Sequence, residues 1–312
     1  MPKRFHIAAL GEAMVEFNQT MAGQPQYLQG FGGDTSNAAI AAARAGAQVA
    51  YISAVGQDTF GDMLQDLWAQ ERVNQEAVAV DIAAPTGIYF VTHGAAGHAF
   101  SYRRAGSAAA CMTLSDRQLA TVANAQYLHL SGISLALSPH ALAQCLRAVA
   151  VAKAAGTLVC FDSNLRLKLW ALETAQSAMA QVLAQTDIFL PSLDDVVALS
   201  GLSQPADIVA WSHAQGAGMV VLKLGADGLL LSADGVQTHI PARSVQALDA
   251  TGAGDCFAGN YLTRLSLGDT ALQAAHYANA AAALSVQGYG AVAPLPRPEQ
   301  VHSELMRTIL ST

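Results

Sequence analysis

Charge is scarce in this sequence. Only 12% of its 312 residues are Asp, Glu, Lys or Arg, where an ordinary soluble domain has about 25%. Aromatics make up only 6%, so a core must be built mainly from Ala, Leu, Val and Ile. Low charge leaves two readings open: flat faces covered by another subunit, or a plain core of small residues. Basic residues are the scarcer sign, 16 against 23 acidic, for a net charge of -7. No basic run exists to neutralise a phosphate backbone, so nucleic acid is not an expected partner. Four cysteines (Cys111, Cys145, Cys160, Cys256) form no CxxC pair and have no His at zinc-finger spacing. Free thiols of this kind point to the cytoplasm. The apolar stretch after the first basic residues ends at Gly11-Glu12, too short for a signal-peptide core. The most apolar helical stretch, 271–286, is interrupted by Gln273, His276 and Asn279 and does not read as a membrane span. Also missing are GxxxxGK[ST], GxGxxG after the first strand, GxSxG and HExxH. P-loop kinase, Rossmann dehydrogenase, α/β-hydrolase and zincin readings lose their usual support.

What remains is an alternation of short apolar runs with helical ones. Residues 5–10, 49–55, 127–130, 158–162, 187–190 and 219–224 read as buried strands. Residues 37–45, 60–70, 140–155, 173–185 and 207–215 have helical composition. This order predicts an α/β fold, a mostly parallel sheet with helices on both faces. No repeat or low-complexity linker divides the chain, so residues 1–312 read as one domain. Two pieces break the rhythm: residues 12–17 alternate, and 86–92 with 98–104 form a strand pair around Gly94-Ala95-Ala96-Gly97. They predict a small antiparallel sheet from about 12–17 and 86–104. It could be a lid or a decorative edge hairpin. The last third is helical, over 253–265, 269–287 and 299–310, with Phe257, Tyr261 and Leu265 on one buried face.

The strongest local signal is Asp249-Ala250-Thr251-Gly252-Ala253-Gly254-Asp255. Its glycines precede a periodic helix whose first amides point outward, unpaired, at the positive end of the helix. That is an anion site. Asp255 lies in the first turn. It could simply stabilise the helix terminus, or it could accept a hydroxyl proton while the amides bear charge on a transferring phosphoryl group.

This segment resembles the C-terminal signature of the ribokinase-like, phosphofructokinase-B type sugar kinases. Gly32-Gly33-Asp34-Thr35-Ser36-Asn37-Ala38-Ala39 resembles their N-terminal signature. Gly11-Glu12, Val55-Gly56-Gln57-Asp58 and Phe60-Gly61-Asp62 match in order, so the resemblance spans the chain. It implies a three-layer α/β/α domain with a β-sheet lid, ATP at the C-terminal strand ends and a sugar beneath the lid. Gly252, Ala253 and Gly254 would form the anion hole and Asp255 would be the base. Gly225 and Gly228, in the turn after Lys223, match the nucleotide-side loop. Lys223 itself belongs to that side, where capping or solvating the turn fits it better than phosphate contact. Asn279 falls on the helix that flanks adenine in relatives. Mg²⁺ and a monovalent cation near Asp249 and Thr251 are the implied ions. Where many relatives carry Asn-x-x-Glu, this chain has Ser192-Leu193-Asp194-Asp195. Ser192 would then sit by the nucleotide, and Asp195 would hold the metal through a water. The alternative for that run is an N-cap serine with first-turn acids. Lid strands of such kinases often pair between subunits, which implies a homodimer or larger homo-oligomer.

Arginines suggest which sugar. A sugar acid needs a cation for its carboxylate, and the planar guanidinium fork suits it. Arg103 and Arg104 leave the hairpin, and Arg166 leaves a core strand. Strand alternation puts Tyr102 and Arg104 on one face. Phe31 to Thr35, Thr86-Gly87-Ile88-Tyr89, Tyr102-x-Arg104, Leu130 to Ser134 and Phe161 to Arg166 resemble 2-keto-3-deoxygluconate kinases. By that resemblance Gly33, Asp34, Asn37, Tyr89, Tyr102, Arg104 and Arg166 would bind the substrate, with the two arginines on its carboxylate. Fructokinases share most of these motifs. A catalytically inactive sugar-acid sensor is the reading from another class.

Overall fold

The computed structural model describes residues 3–94 and 97–310. Strands β1 (Phe5–Leu10), β4 (Val49–Gly56), β8 (Ala125–Ser131), β9 (Leu158–Asp162) and β11 (Met219–Lys223) lie where apolar runs predict them. The run at 187–190 yields only the two residues of β10 (Ile188–Phe189). Other strands are β2 (Met14–Gln19), β3 (Tyr27–Gly32), β5 (Val78–Asp81), β6 (Ile88–Gly94), β7 (Gly97–Arg103), β12 (Leu229–Ala233) and β13 (Val236–Ile240). The helices that build the site are α1 (Asp34–Arg44), α2 (Leu193–Ser200), α3 (Ala253–Ser266) and α4 (Ala271–Ser285).

Nine strands form one sheet in the order β13-β12-β11-β10-β9-β8-β1-β4-β5. From β11 to β5 all neighbours are parallel, and β12 and β13 add an antiparallel edge. Strand periodicity sends alternate residues to two cores. Ile7 and Ala9 join the core under α1, α3 and α4, while Ala8 and Leu10 join the core on the opposite face. The result is three layers, helix on sheet on helix.

A second sheet, β3-β2-β6-β7, stands apart from the first. Its expected strands are present, with two differences. It gains β3, whose Tyr-Leu-Gln-Gly-Phe-Gly sequence is too rich in glycine to read as a strand. It is also mixed, because β2 and β6 run parallel. The Ala95-Ala96 part of the hairpin turn lies outside the described residues.

Small residues fill the seam that matters for the site. Ala38, Ala39, Ala41 and Ala42 of α1 and Ala258 of α3 are buried. A Cβ on Gly259 would overlap the Ala38 carbonyl. The two helices therefore approach at backbone distance, and their N-termini open side by side at the C-terminal edge of the sheet. A core of small residues, one of the two readings of the scarce charge, is thus present within one chain. Among the described residues no helix is long and apolar enough to cross a membrane.

Candidate active site

Ligand sites of open α/β sheets lie beyond the carboxyl ends of the strands, and every element of this site starts there. Gly252 is the N-cap of α3, with φ 76°. A side chain there would be strained, and its Cβ would crowd Ala291. The Asp249 carboxylate holds the approach to this turn, accepting from Thr251 N and Oγ1 and from Gly290 N at 2.6–2.9 Å. The expected monovalent-cation position thus falls on a loop whose polar groups bond one another. Asp255 sits in the first turn beyond Gly252, Ala253 and Gly254.

Asn37, one turn into α1, donates from Nδ2 to Asp255 Oδ2 at 2.8 Å. Its Oδ1 is buried with no protein partner. Burial pushes the Asp255 carboxyl up to about 7, and the nearby Asp34 carboxylate adds to the shift. The Asn37 bond and the Lys223 charge oppose it. Asp255 keeps a partly exposed edge, as a base that must meet substrate requires. A carboxyl poised near neutrality is suited to general-base work.

Gly33 precedes α1 with φ 117° against the Glu12 backbone, where any Cβ would overlap. Asp34 is buried in the first turn and accepts from Asn164 Nδ2 at 3.0 Å. Asn164 itself has φ 27°, in the left-handed region that asparagine tolerates.

On the second sheet, Tyr89 and Tyr102 face each other in register and stack at 5.6 Å. The Tyr89 hydroxyl donates to Glu16 Oε2 at 2.5 Å, and a side chain at Gly32 would overlap that hydroxyl. Tyr102 is 38% exposed and offers its ring to the site.

The two arginines differ. Arg104 is spent on the protein: its Nε donates to Glu12 Oε2 at 2.7 Å, and Glu12 also accepts from Ser107 Oγ. Burial raises the Glu12 carboxyl, and the Arg104 charge pulls it back. Arg166 is exposed and bonds only the Leu165 carbonyl, at 2.9 Å. It has no acidic partner among the described residues. Both arginine charges reach Tyr102.

Gly225 and Gly228, expected on the nucleotide side, shape the turn after β11 with φ 60° and 94°. Asn279 on α4 donates to the Pro241 carbonyl at 2.8 Å. Ser192 occupies the N-cap position of α2 with Asp194 and Asp195 in the first turn, as the N-cap alternative has it, but its side chain makes no cap bond. Asp195 Oδ2 accepts from Ser163 Oγ at 2.7 Å and Leu165 N at 3.1 Å. It therefore fixes the loop that carries Asn164 and Arg166. The expectation that Lys223 caps its turn is corrected. Its Nζ reaches back to Asp162 Oδ2 at 2.7 Å and lies 3.2 Å from where a Cβ on Gly254 would be.

Sequence reasoning gave no role to Glu12, Glu16, Ser107, Asp162 or Asn164. One signal was available: Glu12 and Asp162 are carboxylates that end or follow apolar strands at the C-terminal edge of the sheet.

Comparison with known proteins agrees with this architecture. Residues 4–298 match the pfkB family carbohydrate kinase model. The chain is similar to 2-dehydro-3-deoxygluconokinase of Escherichia coli K12, at 35% identity over 92% of this chain and 97% of that one. It is also similar to fructokinase-1 of Oryza sativa subsp. japonica, at 32% identity over 95% and 96%. A crystal structure of a candidate ribokinase II from E. coli, in complex with ATP and Mg²⁺, superposes with a TM-score of 0.88. It is 28% identical and covers 98% of this chain and all of that one. With residues 4–298 matched by the family model and these relatives at 35% and 32% identity over nearly the whole chain, this chain belongs to the pfkB family of carbohydrate kinases.

Proposed function

We propose that the protein transfers the γ-phosphoryl group of ATP to the terminal primary hydroxyl of a 2-keto-3-deoxy sugar acid. The best candidate is 2-keto-3-deoxy-D-gluconate, giving the 6-phosphate. The observation that carries the reading is Asp255, held by Asn37 in the first turn of α3 and raised toward neutrality. Of the three amides expected there, that of Ala253 already donates to the Ala250 carbonyl at 3.2 Å, so Gly252 and Gly254 are the ones offered to phosphate.

Asp255 takes the proton of the attacking hydroxyl as its oxygen bonds to phosphorus. The bond from phosphorus to the departing ADP oxygen breaks in the same displacement. The α3 amides bear the charge on the transferring group. The unpartnered Asn37 Oδ1 is a free acceptor for a second substrate hydroxyl. Gly33 leaves room for the sugar to approach the backbone, and Asp34 keeps Asn164 in place beside it. Tyr89 and Tyr102 cover it, and Arg166 meets its carboxylate. The nucleotide lies along the turn at Gly225 and Gly228, with Ser192, Lys223 and Asn279 on its side.

The donor set fits a metal carried by the nucleotide. Among the described residues no three His, Cys, Asp or Glu converge as a cage. Asp195 uses Oδ2 for its bonds to Ser163 and Leu165, and among the described residues its other oxygen is left for a metal-bound water. When bound, Mg²⁺ supplies charge neutralisation on the phosphate oxygens.

A neutral ketose is the second reading, and a specific observation favours it. Glu12 already neutralises Arg104, which leaves Arg166 as the cation for an acid. A coupled ADP-release screen over keto-sugar acids, fructose, ribose and nucleosides decides. Preference for the keto-sugar acid supports the first reading; preference for fructose replaces it; no ADP release with any sugar removes both.

We also infer a homo-oligomer. Tyr27, Leu28 and Phe100 of the lid sheet are exposed, Leu28 by 69%. Light scattering on the purified protein measures the mass.

A further inference from the structure

Lys223 ends β11, and Asp162 ends β9, with the two-residue β10 between them. Their side chains meet across that short strand at 2.7 Å. Both are largely buried, at 16% and 6% side-chain exposure. The ammonium lies against Gly254, in the first turn of α3. That is the wrong end of a helix for a cation, because the positive end of the dipole repels it. The Asp162 carboxylate holds it there against that repulsion.

The surroundings give it a reason. Asp34, Asp162 and Asp255 all act on this pocket as negative charges, and Lys223 is the charge that opposes them at Asp255. An incoming phosphate would otherwise face three carboxylates. We propose that Lys223, steered by Asp162 against Gly254, is the cation that meets the transferring phosphoryl group, and that Asp162 is its positioning residue. This rests on the kinase reading above. Lys223 donates to phosphate oxygens and transfers no proton; the hydroxyl proton still goes to Asp255.

The competing account is a structural tie between β9 and β11. Lys223→Met separates the two, but it leaves the buried Asp162 carboxylate without its cation, which can unfold the chain. Lys223→Met/Asp162→Asn removes both charges together and keeps the fold testable. Lys223→Arg keeps the charge. Rates are measured across a pH profile from about 6 to 9.5, so that a shift in the Asp255 titration is read apart from a fall in the limiting rate, on a sugar that the wild type phosphorylates.

Loss of one preorganised donor to a transition state lowers kcat by about 10² to 10³. The double variant should show that loss with KM for the sugar within about threefold, and Lys223→Arg should recover part of it. Asp162→Asn keeps the lysine and should lose less, about tenfold. A second readout does not depend on turnover. Wild type should bind ADP with Mg²⁺ and aluminium fluoride, a mimic of the transferring group, more tightly than ADP with Mg²⁺. The double variant should lose that difference while its affinity for ADP stays within about threefold. A folded double variant that keeps wild-type kcat and the aluminium fluoride increment overturns the proposal and leaves the kinase reading standing. If the wild type phosphorylates nothing, the kinase reading falls first.

Discussion

The floor and the lid of this site treat charge in opposite ways. On the floor, burial keeps Asp255 high, the like charges of Asp34 and Asp162 add to it, and one lysine opposes them. On the lid side, carboxylates are tied to partners: Glu12 is paired with the Arg104 charge and accepts from Ser107, and Glu16 accepts from the Tyr89 hydroxyl. Like charges held together store a tendency to react. Opposite charges held together fix geometry. Substitutions on the floor should therefore move rate, and those at the lid root should move stability or substrate affinity.

The largest effect expected is on the floor. Asp255→Asn keeps the shape and the Asn37 bond but cannot take a proton. Steady-state kinetics should show kcat lower by about 10² to 10⁴-fold, with sugar affinity changed much less. More than about half the wild-type rate would remove Asp255 from its role.

Next comes the lid root. Glu12→Ala leaves Arg104 without its carboxylate at 12% side-chain exposure. Breaking a buried pair costs about 3 to 5 kcal/mol, enough to lower Tm by about 5 to 10 °C in a chain of this size. Glu12→Ala/Arg104→Ala should recover part of the loss, as coupled pairs do. Equal Tm for all three proteins would mean that the lid root is not held by charge.

Arg166→Ala should be smaller and of a different kind. The side chain is exposed and has no acidic partner among the described residues, so Tm should stay within about 1 °C. A charge-assisted bond to a carboxylate contributes about 1.5 to 3 kcal/mol. KM for the keto-sugar acid should rise roughly ten- to a hundredfold, and KM for a neutral ketose much less. Lysine should restore only part. An unchanged KM would separate Arg166 from the substrate carboxylate.

The same contrast explains what could be read from sequence. The floor was legible because it is written in contiguous segments. Gly252 to Asp255 and Gly33 to Asn37 each pair a glycine that needs unusual backbone angles with a polar residue in the first turns of a helix. The alternating apolar runs gave the main sheet for the same local reason. The lid root was not legible. Glu12 meets Arg104 across 92 residues and Glu16 meets Tyr89 across 73, and no local pattern marks such a partner. Arg104 and Arg166 look alike in sequence, and only the fold reveals that one is already paired. Lys223 was misjudged because its turn is local while Asp162 is two strands away. β10 shrank to two residues because strand length depends on what its neighbours pair with, not on its own apolar run.

The smallest effect tests the floor by pH. Asp255 titrates near 7, above its ordinary 3.8, because burial and then Asp34 disfavour its charge. A base must be ionised, so kcat/KM should rise from pH 5 to 8 with a midpoint near 7 and then level. Asp34→Asn removes the second cause and should lower that midpoint. Stability should move the other way. With the folded pKa above the unfolded one, the contribution is full below about 3.8 and is lost as pH rises through about 7. Asp255→Asn never ionises and avoids that loss. Its Tm should therefore gain on the wild type between pH 5 and pH 8. Discounted for the partly solvated edge of the side chain, the gain is about 1 kcal/mol, or about 2 to 4 °C. Thermal melts of both proteins at the two pH values measure it. A Tm difference that does not change with pH, together with an Asp34→Asn rate profile that keeps its midpoint, would mean that the floor carboxylates do not repel one another. The contrast between floor and lid would then fail at its root.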